Sequence, residues 1–330
     1  MALSSALELA NASKPSAGPW RQVGVFYLLA MALSLAVWIP AGAQLAGVLP
    51  GRVPALLVLA SQYSPTLAAL ILIWREGGLA GLGRFLSRSL NPMFDPRWYA
   101  VALLTPSLMG LGLIALHAFR GGYVPPFLSV QDVHDHIVRY WTSIQDASGG
   151  ASRDVGVALA RWSGASLLQT LAVYFAVCLA NGGISEEAGW RGYALARLLE
   201  GRRVLTAALI VGFFWGLWHT GPAFWAAVFG RGTSGFAIPV EYTLGTIPLT
   251  VMISWVFVNA KRSLLPGMLF HACYNGTFFF LTQIWTPGHP AVSILEWLAA
   301  SYVAALLVVA IGAKTMFART AQVDVMDDAA

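Results

Sequence analysis

Three short polar motifs lie inside otherwise apolar stretches of this chain: Glu186-Glu187-x-x-x-Arg191, Trp215-x-x-x-His219 and His271-x-x-x-Asn275. Together they supply two carboxylates, a guanidinium, two imidazoles and an amide, which are the parts needed to activate a water molecule. A glutamate can take the proton from water as general base while imidazole and amide donors stabilise an oxyanion. Equally, Glu186, His219 and His271 make a two-histidine, one-glutamate set of the kind that holds catalytic Zn2+ and leaves a position open for water. No His-Glu-x-x-His run is present, so the zinc helix of soluble metalloproteases is excluded as a local motif.

Each motif also has an ordinary explanation. Glu187 and Arg191 stand four apart in the favourable order for a helical ion pair, and two acids near a helix start suit its dipole. A single imidazole such as His219 on an apolar face often serves as a satisfied structural group. His271 and Asn275 present their polar ends on one helix face, where they could simply join two helices. Ionisable groups at membrane depth are costly, however, and persist where they pair, line a wet cavity or do chemistry. Three such motifs on three separate segments favour the chemistry. Neighbouring positions on a helix point about 100° apart, so the two acids can divide: Glu186 toward a cavity, Glu187 held by Arg191.

The segments that must position these groups are membrane spans. Hydrophobic residues make up 57% of the chain and charged residues 11%, against roughly 25% charged in an ordinary soluble domain. A soluble chain of this length would need polar residues to cover its core, and this one lacks them. Thirteen Trp and ten Tyr suit interfacial belts, although Trp190, Trp215 and Trp218 fall beside the polar motifs instead. The net charge of +5 comes mainly from Arg in loops and forms no dense basic stripe, which excludes a nucleic-acid surface and leaves the lipid bilayer as partner. Cys178 and Cys273 lie in apolar segments without CxxC spacing and read as small buried hydrophobes.

A membrane helix needs about 20 mostly apolar residues. Eight runs qualify: 23–39, 53–74, 98–116, 165–184, 204–229, 240–259, 264–284 and 292–311. The expected fold is therefore all-α and polytopic, with about eight transmembrane helices around a polar active-site cavity. Its parts are a polar tail over 1–22, a helical membrane domain over 23–314 with its catalytic core at 165–284, and a C-terminal tail over 315–330. Asn181-Gly182-Gly183 reads as a break, after which Ser185 would cap a second helical piece. The tails and even-numbered loops hold most of the twenty Lys and Arg, which places both termini in the cytoplasm. The long polar loop at 118–163 then faces outside, with an amphipathic helix expected over 130–144. His134 and His136 flank Asp135 there, a pattern open to a surface metal site or to plain solvation. Gly212-x-x-x-Gly216 is a small-xxx-small helix contact.

The order and spacing of the three motifs resemble the CPBP intramembrane metalloproteases, the family of the CAAX prenyl endopeptidases and of bacterial bacteriocin-processing and self-immunity (Abi-like) proteins. The stretch from Ser185 to Tyr193 is similar to that family's first motif, a double Glu with Arg four positions after the second. Trp215 to His219 resembles the second motif, which normally begins with Phe, so Trp215 is a departure. Because an indole ring does not ionise, that departure bears on pocket shape more than on chemistry. His271 to Asn275 resembles the final motif. The resemblance covers about 165–284.

It implies that Glu186 activates the water and Arg191 orients the acidic pair with Glu187. His219, His271 and Asn275 would bind metal or stabilise the oxyanion. In the metal version Glu186, His219 and His271 hold Zn2+. It implies a membrane metalloendopeptidase in a bacterial inner (plasma) membrane, acting on a membrane-embedded or lipidated peptide or protein, with prenylated CAAX ends as the eukaryotic case. Two rival classes remain: a non-proteolytic scaffold or self-immunity protein that keeps the fold, and a transporter using these groups as a relay. The motif region has no second copy, which counts against the transporter.

Overall fold

The computed structural model describes residues 18–51, 53–121, 129, 131–137, 166–285 and 292–319. Among the described residues the elements are helical, apart from one isolated bridge between Arg203 and Arg319. Helix α1 runs Pro19–Leu45, α2 Ala55–Ser61, α3 Ser64–Ser89 and α4 Arg97–Phe119. A composite helix, α5, spans Leu168–Leu199. There follow α6 (Val204–Trp218), α7 (Pro222–Val228), α8 (Ile238–Asn259), α9 (Leu265–Phe279), α10 (Ile294–Ile311) and α11 (Ala313–Phe317).

Among the described residues six helices are long and apolar enough to cross a membrane (α1, α3, α4, α5, α10, and α8 with the turn before it), and seven if the bent pair α6 and α7 is one span. The protein is thus an all-α polytopic membrane protein, with six or seven such spans among its described residues where the sequence reads as eight. The remaining run, 264–284, is helical as α9 followed by a π-helical stretch, Phe280–Ile284. It carries His271, Asn275, Thr277, Thr282 and Gln283, the polarity that sets it apart from the others. Of the two long tails, α1 starts at Pro19, inside the stretch read as 1–22, and α11 reaches Phe317, inside 315–330.

Three local expectations give way. The fourth span does not break at Asn181-Gly182-Gly183. It passes through a π-helical stretch, Leu179–Ile184, and a second one, Ala188–Leu195, so Ser185 sits inside the helix with its hydroxyl donating to the Gly182 carbonyl at 3.4 Å. In a bilayer a broken turn has no water to satisfy it, and a wider helical turn keeps every amide paired. The fifth span is not straight over 204–229: the chain leaves the helix at His219 and turns by 61° into α7. The run 53–74 divides at Gln62–Tyr63, because Pro65 occupies the first turn of α3, where its missing N–H costs nothing.

Bare glycine faces let these helices close on the site. On α6, a Cβ at Gly212 would lie 2.9 Å from the Ile247 Cα of α8, and Thr246 of α8 donates to the Gly212 carbonyl at 2.8 Å. On α5, a Cβ at Gly189 would lie 2.6 Å from the Pro65 backbone of α3. Phe26, Trp38, Trp98, Trp190, Trp215 and Trp297 belong to the main core that these contacts enclose. Of the expected 130–144 helix, residues 131–137 are helical, and Val133 and Ile137 are buried against Tyr174, Cys178, Ala272 and Ile284. The rest of that helix, like most of 118–163, lies outside the described residues.

Candidate active site

Four helices bring the three motifs together: α5 with the acidic pair, α6 ending at His219, α9 with His271, and α8 behind them. The two glutamates do divide. Glu187 Oε1 accepts from Arg191 Nη1 at 2.7 Å, one helical turn on, and from His271 Nδ1 at 2.8 Å across the interface. Both Glu187 and Arg191 are fully buried. Arg191 Nη2 also donates to Thr250 of α8 at 3.3 Å. Among the described residues Glu186 bonds neither Arg191 nor His271. Its Oε2 accepts from two indoles, Trp215 Nε1 at 2.5 Å and Trp190 Nε1 at 3.3 Å.

The imidazoles are held by their Nδ1 atoms. His219 Nδ1 lies 2.9 Å from the Trp215 carbonyl, so it carries the hydrogen, and the ring stacks on Tyr242 of α8 at 4.1 Å. His271 Nδ1 likewise donates to Glu187. Each ring is thereby left with Nε2 for other partners. His271 Nε2 and Asn275 Nδ2 converge on Gly182, where a Cβ would stand 2.9 Å from either atom. That glycine lets the α9 donors rest directly on the α5 backbone one turn before Glu186.

Trp215 is the residue that sequence reasoning undervalued. Its N–H holds Glu186, and its ring face lies 4.4 Å from the Arg191 guanidinium carbon. Its ring lies nearly perpendicular to His271 at a centroid distance of 5.1 Å, and its carbonyl anchors His219. The departure from Phe at this position therefore touches the chemistry as well as the shape, because an indole donates and a phenyl ring cannot. Trp190 stands at the same i+4 spacing from Glu186 as Arg191 from Glu187, a signal present in the sequence. Thr250 and Tyr242 carry no motif and could not have been found that way.

Donor chemistry alone would suit a metal, since both Nε2 atoms present lone pairs when the rings are neutral. The arrangement does not: among the described residues no three His, Cys, Asp or Glu side chains form a group that could hold a metal ion. The Trp215 indole lies against both imidazoles, 6.0 Å from His219 and 5.1 Å from His271 between ring centroids. The set Glu186, His219 and His271 thus does not fit Zn2+ as placed. His134 bonds Asp135 at 3.0 Å while His136 reaches the Trp285 carbonyl at 3.2 Å, so these two point to different partners. His117 pairs with Glu296, His289 lies outside the described residues, and Cys178 and Cys273 are free thiols.

A polytopic helical bundle with a sealed acid–guanidinium–imidazole centre defines a class of intramembrane protein, and comparison with known proteins narrows it. Residues 168–277 match the family described as type II CAAX prenyl endopeptidase Rce1-like. A segment of 97 residues is 27% identical to CAAX prenyl protease 2 of Methanococcus maripaludis. The aligned part is 27% of this chain and 34% of that relative, so the chain spans about a third of the curated relative's length. The likeness to the CPBP/CAAX proteases is confined to this segment, which contains all three motifs.

Proposed function

We propose that this chain is an intramembrane endopeptidase that hydrolyses a peptide bond in a membrane-embedded or lipidated substrate. The observation that carries the reading is the division of the acidic pair: Glu187 is committed to Arg191 and His271, while among the described residues Glu186 is bound through one oxygen, to two neutral donors. A carboxylate kept out of the ion pair is available as a base.

In this scheme Glu186 Oε1 takes a proton from a water molecule as the water oxygen attacks the scissile carbonyl carbon. The carbonyl oxygen becomes an oxyanion, and Asn275 Nδ2–H stabilises it together with the Nε2 edge of His271. Glu187, on the far side of that ring, fixes its orientation. Collapse breaks the C–N bond, and the proton held by Glu186 passes to the departing amine, leaving a carboxyl and an amino end. Each such donor in a water-poor site is worth about 10²–10³ in rate. His219, with Nε2 turned from its anchored Nδ1, orients the water. We place both termini on the cytoplasmic side of a plasma membrane, from the distribution of Lys and Arg in the loops.

The test is cleavage of a fluorogenic peptide panel, prenylated C-termini included, by the detergent-purified protein beside Glu186→Ala. Turnover that vanishes in the variant supports the reading. Parallel reactions with a chelator and zinc add-back read metal dependence directly, and loss restored by zinc would mean that the ligands gather only in the working state. A Glu186→Ala protein that keeps its full effect in cells would replace the protease by a scaffold.

A further inference from the structure

Within the second motif, one neutral side chain touches four of the polar residues that the three motifs bring together. Trp215 contacts Glu186 by its N–H, Arg191 by its ring face, His271 in a T-shaped ring pair and His219 by its carbonyl. It is 1% exposed, so these contacts are shielded from competing water. The second indole, Trp190, meets the same carboxylate oxygen from the turn after Glu186, and the two tryptophan rings lie 6.4 Å apart.

We infer that Trp215, seconded by Trp190, is a positioning residue that holds Glu186 Oε2 so that Oε1 alone addresses the substrate. The inference rests on the reading of Glu186 as the base. A carboxylate on a helix in an apolar site has few partners, and its rotamer is free unless something fixes one oxygen. Two N–H donors on the same oxygen fix it without a cation, which would neutralise the base. The cation present, Arg191, is instead committed to Glu187 and lies over the Trp215 face, where the ring quadrupole holds it. Trp215 in this way keeps apart the two acids that the sequence places side by side.

Trp215→Phe is the decisive variant, since it keeps the ring and removes the N–H. The expected result is a fall of about 10- to 100-fold in kcat, from a charge-assisted hydrogen bond worth about 1.5–3 kcal/mol, with KM within twofold. Trp190→Phe, whose bond is longer, should lower kcat by less than tenfold. Unchanged kcat in Trp215→Phe, or an equal rise in KM, would overturn the inference. A second readout needs no turnover. A hydrophobic carbodiimide modifies buried carboxyls in their protonated form, and Glu186 modification followed by mass spectrometry should speed up severalfold in Trp215→Phe. Unchanged labelling overturns the positioning role even in a protein that cleaves nothing, so failure of this inference and failure of the protease reading remain distinct. Should Trp215→Phe not fold, the same labelling of Trp190→Phe decides the matter in the same direction.

Discussion

Glu187 Oε1 lies 2.8 Å from His271 Nδ1 and, through the same oxygen, 2.7 Å from Arg191 Nη1. One atom thus fixes the orientation of an imidazole on α9 and neutralises a guanidinium on its own helix. All three groups are sealed from solvent, so the arrangement answers to the rules for buried charge.

Glu187→Gln is therefore expected to cost about 3–5 kcal/mol in stability, because it strands Arg191 without a counter-charge. Arg191→Met should cost a similar amount by stranding Glu187. The double variant removes both charges together and should recover most of the loss, seen as thermal unfolding in detergent close to the parent. Turnover should stay low in all three, since His271 loses its carboxylate in two of them and the order around Trp215 in the third. Equal instability in the double and single variants would show that the pair is not coupled.

Glu186 makes the opposite case. Its partners are neutral donors, and Glu186→Gln keeps an acceptor oxygen for them. Stability should change by less than about 1 kcal/mol, in line with the net worth of one ordinary hydrogen bond. Turnover should fall by about 10²–10⁴, the usual contribution of a general base. A thermal melt and a rate taken on one preparation separate the two effects. A stable but fully active Glu186→Gln would remove the base from the scheme.

Glu76 tests the distinction between buried and exposed charge. It pairs with Arg197 and accepts from the Tyr193 hydroxyl at 2.7 Å, joining α3 to α5. Its side chain is 41% exposed, so solvent screens the pair and Glu76→Gln should cost no more than about 1 kcal/mol. Turnover should be unaffected at moderate salt. A loss comparable to that of Glu187→Gln would mean that this outer latch, two residues before the kink at Gly78, governs how α5 sits.

The motif residues were legible because i, i+4 spacing on a helix shows in sequence whatever the helix packs against. Glu187 with Arg191 and His271 with Asn275 needed nothing more. What pairs across helices was not legible: no pattern in the chain links Glu187 to His271, or Trp215 to Glu186, which are 84 and 29 positions apart. The π-helical course of α5 was hidden for a different reason. Gly182-Gly183 reads as a breaker under the rules for water, while a bilayer forces the turn to widen instead. The bend after Trp218 did leave a sign in Gly221-Pro222, a punctuating pair overridden by the apolar run on either side. The Trp215 ring was judged by shape, and its single N–H proved to be the part that reaches the site.

Gly182 supplies the sharpest test of how closely α5 and α9 must meet. Its backbone is helical, so any residue suits its dihedral angles and only space is at issue. An added Cβ would stand 2.9 Å from His271 Nε2 and from Asn275 Nδ2, inside van der Waals contact. Gly182→Ala must then push α9 outward by a few tenths of an ångström or turn both side chains. Overpacking of this kind costs about 1–3 kcal/mol, well short of unfolding a bundle with so large a core. The catalytic cost should be greater, because the displaced atoms are the two proposed oxyanion donors, and a misplacement of about 1 Å can cost 10²-fold in rate. The expected signature is a folded protein with a modestly lowered melting temperature and a kcat reduced at least tenfold. Gly183→Ala serves as the harsher comparison, since its Cβ would stand 2.5 Å from the Met268 carbonyl oxygen of the α9 backbone and 3.0 Å from Leu179, and would touch neither donor side chain. If both variants lose stability alike but only Gly182→Ala loses turnover, the contact at Gly182 sets the donor positions. Equal turnover in the two would leave Gly182 a packing residue.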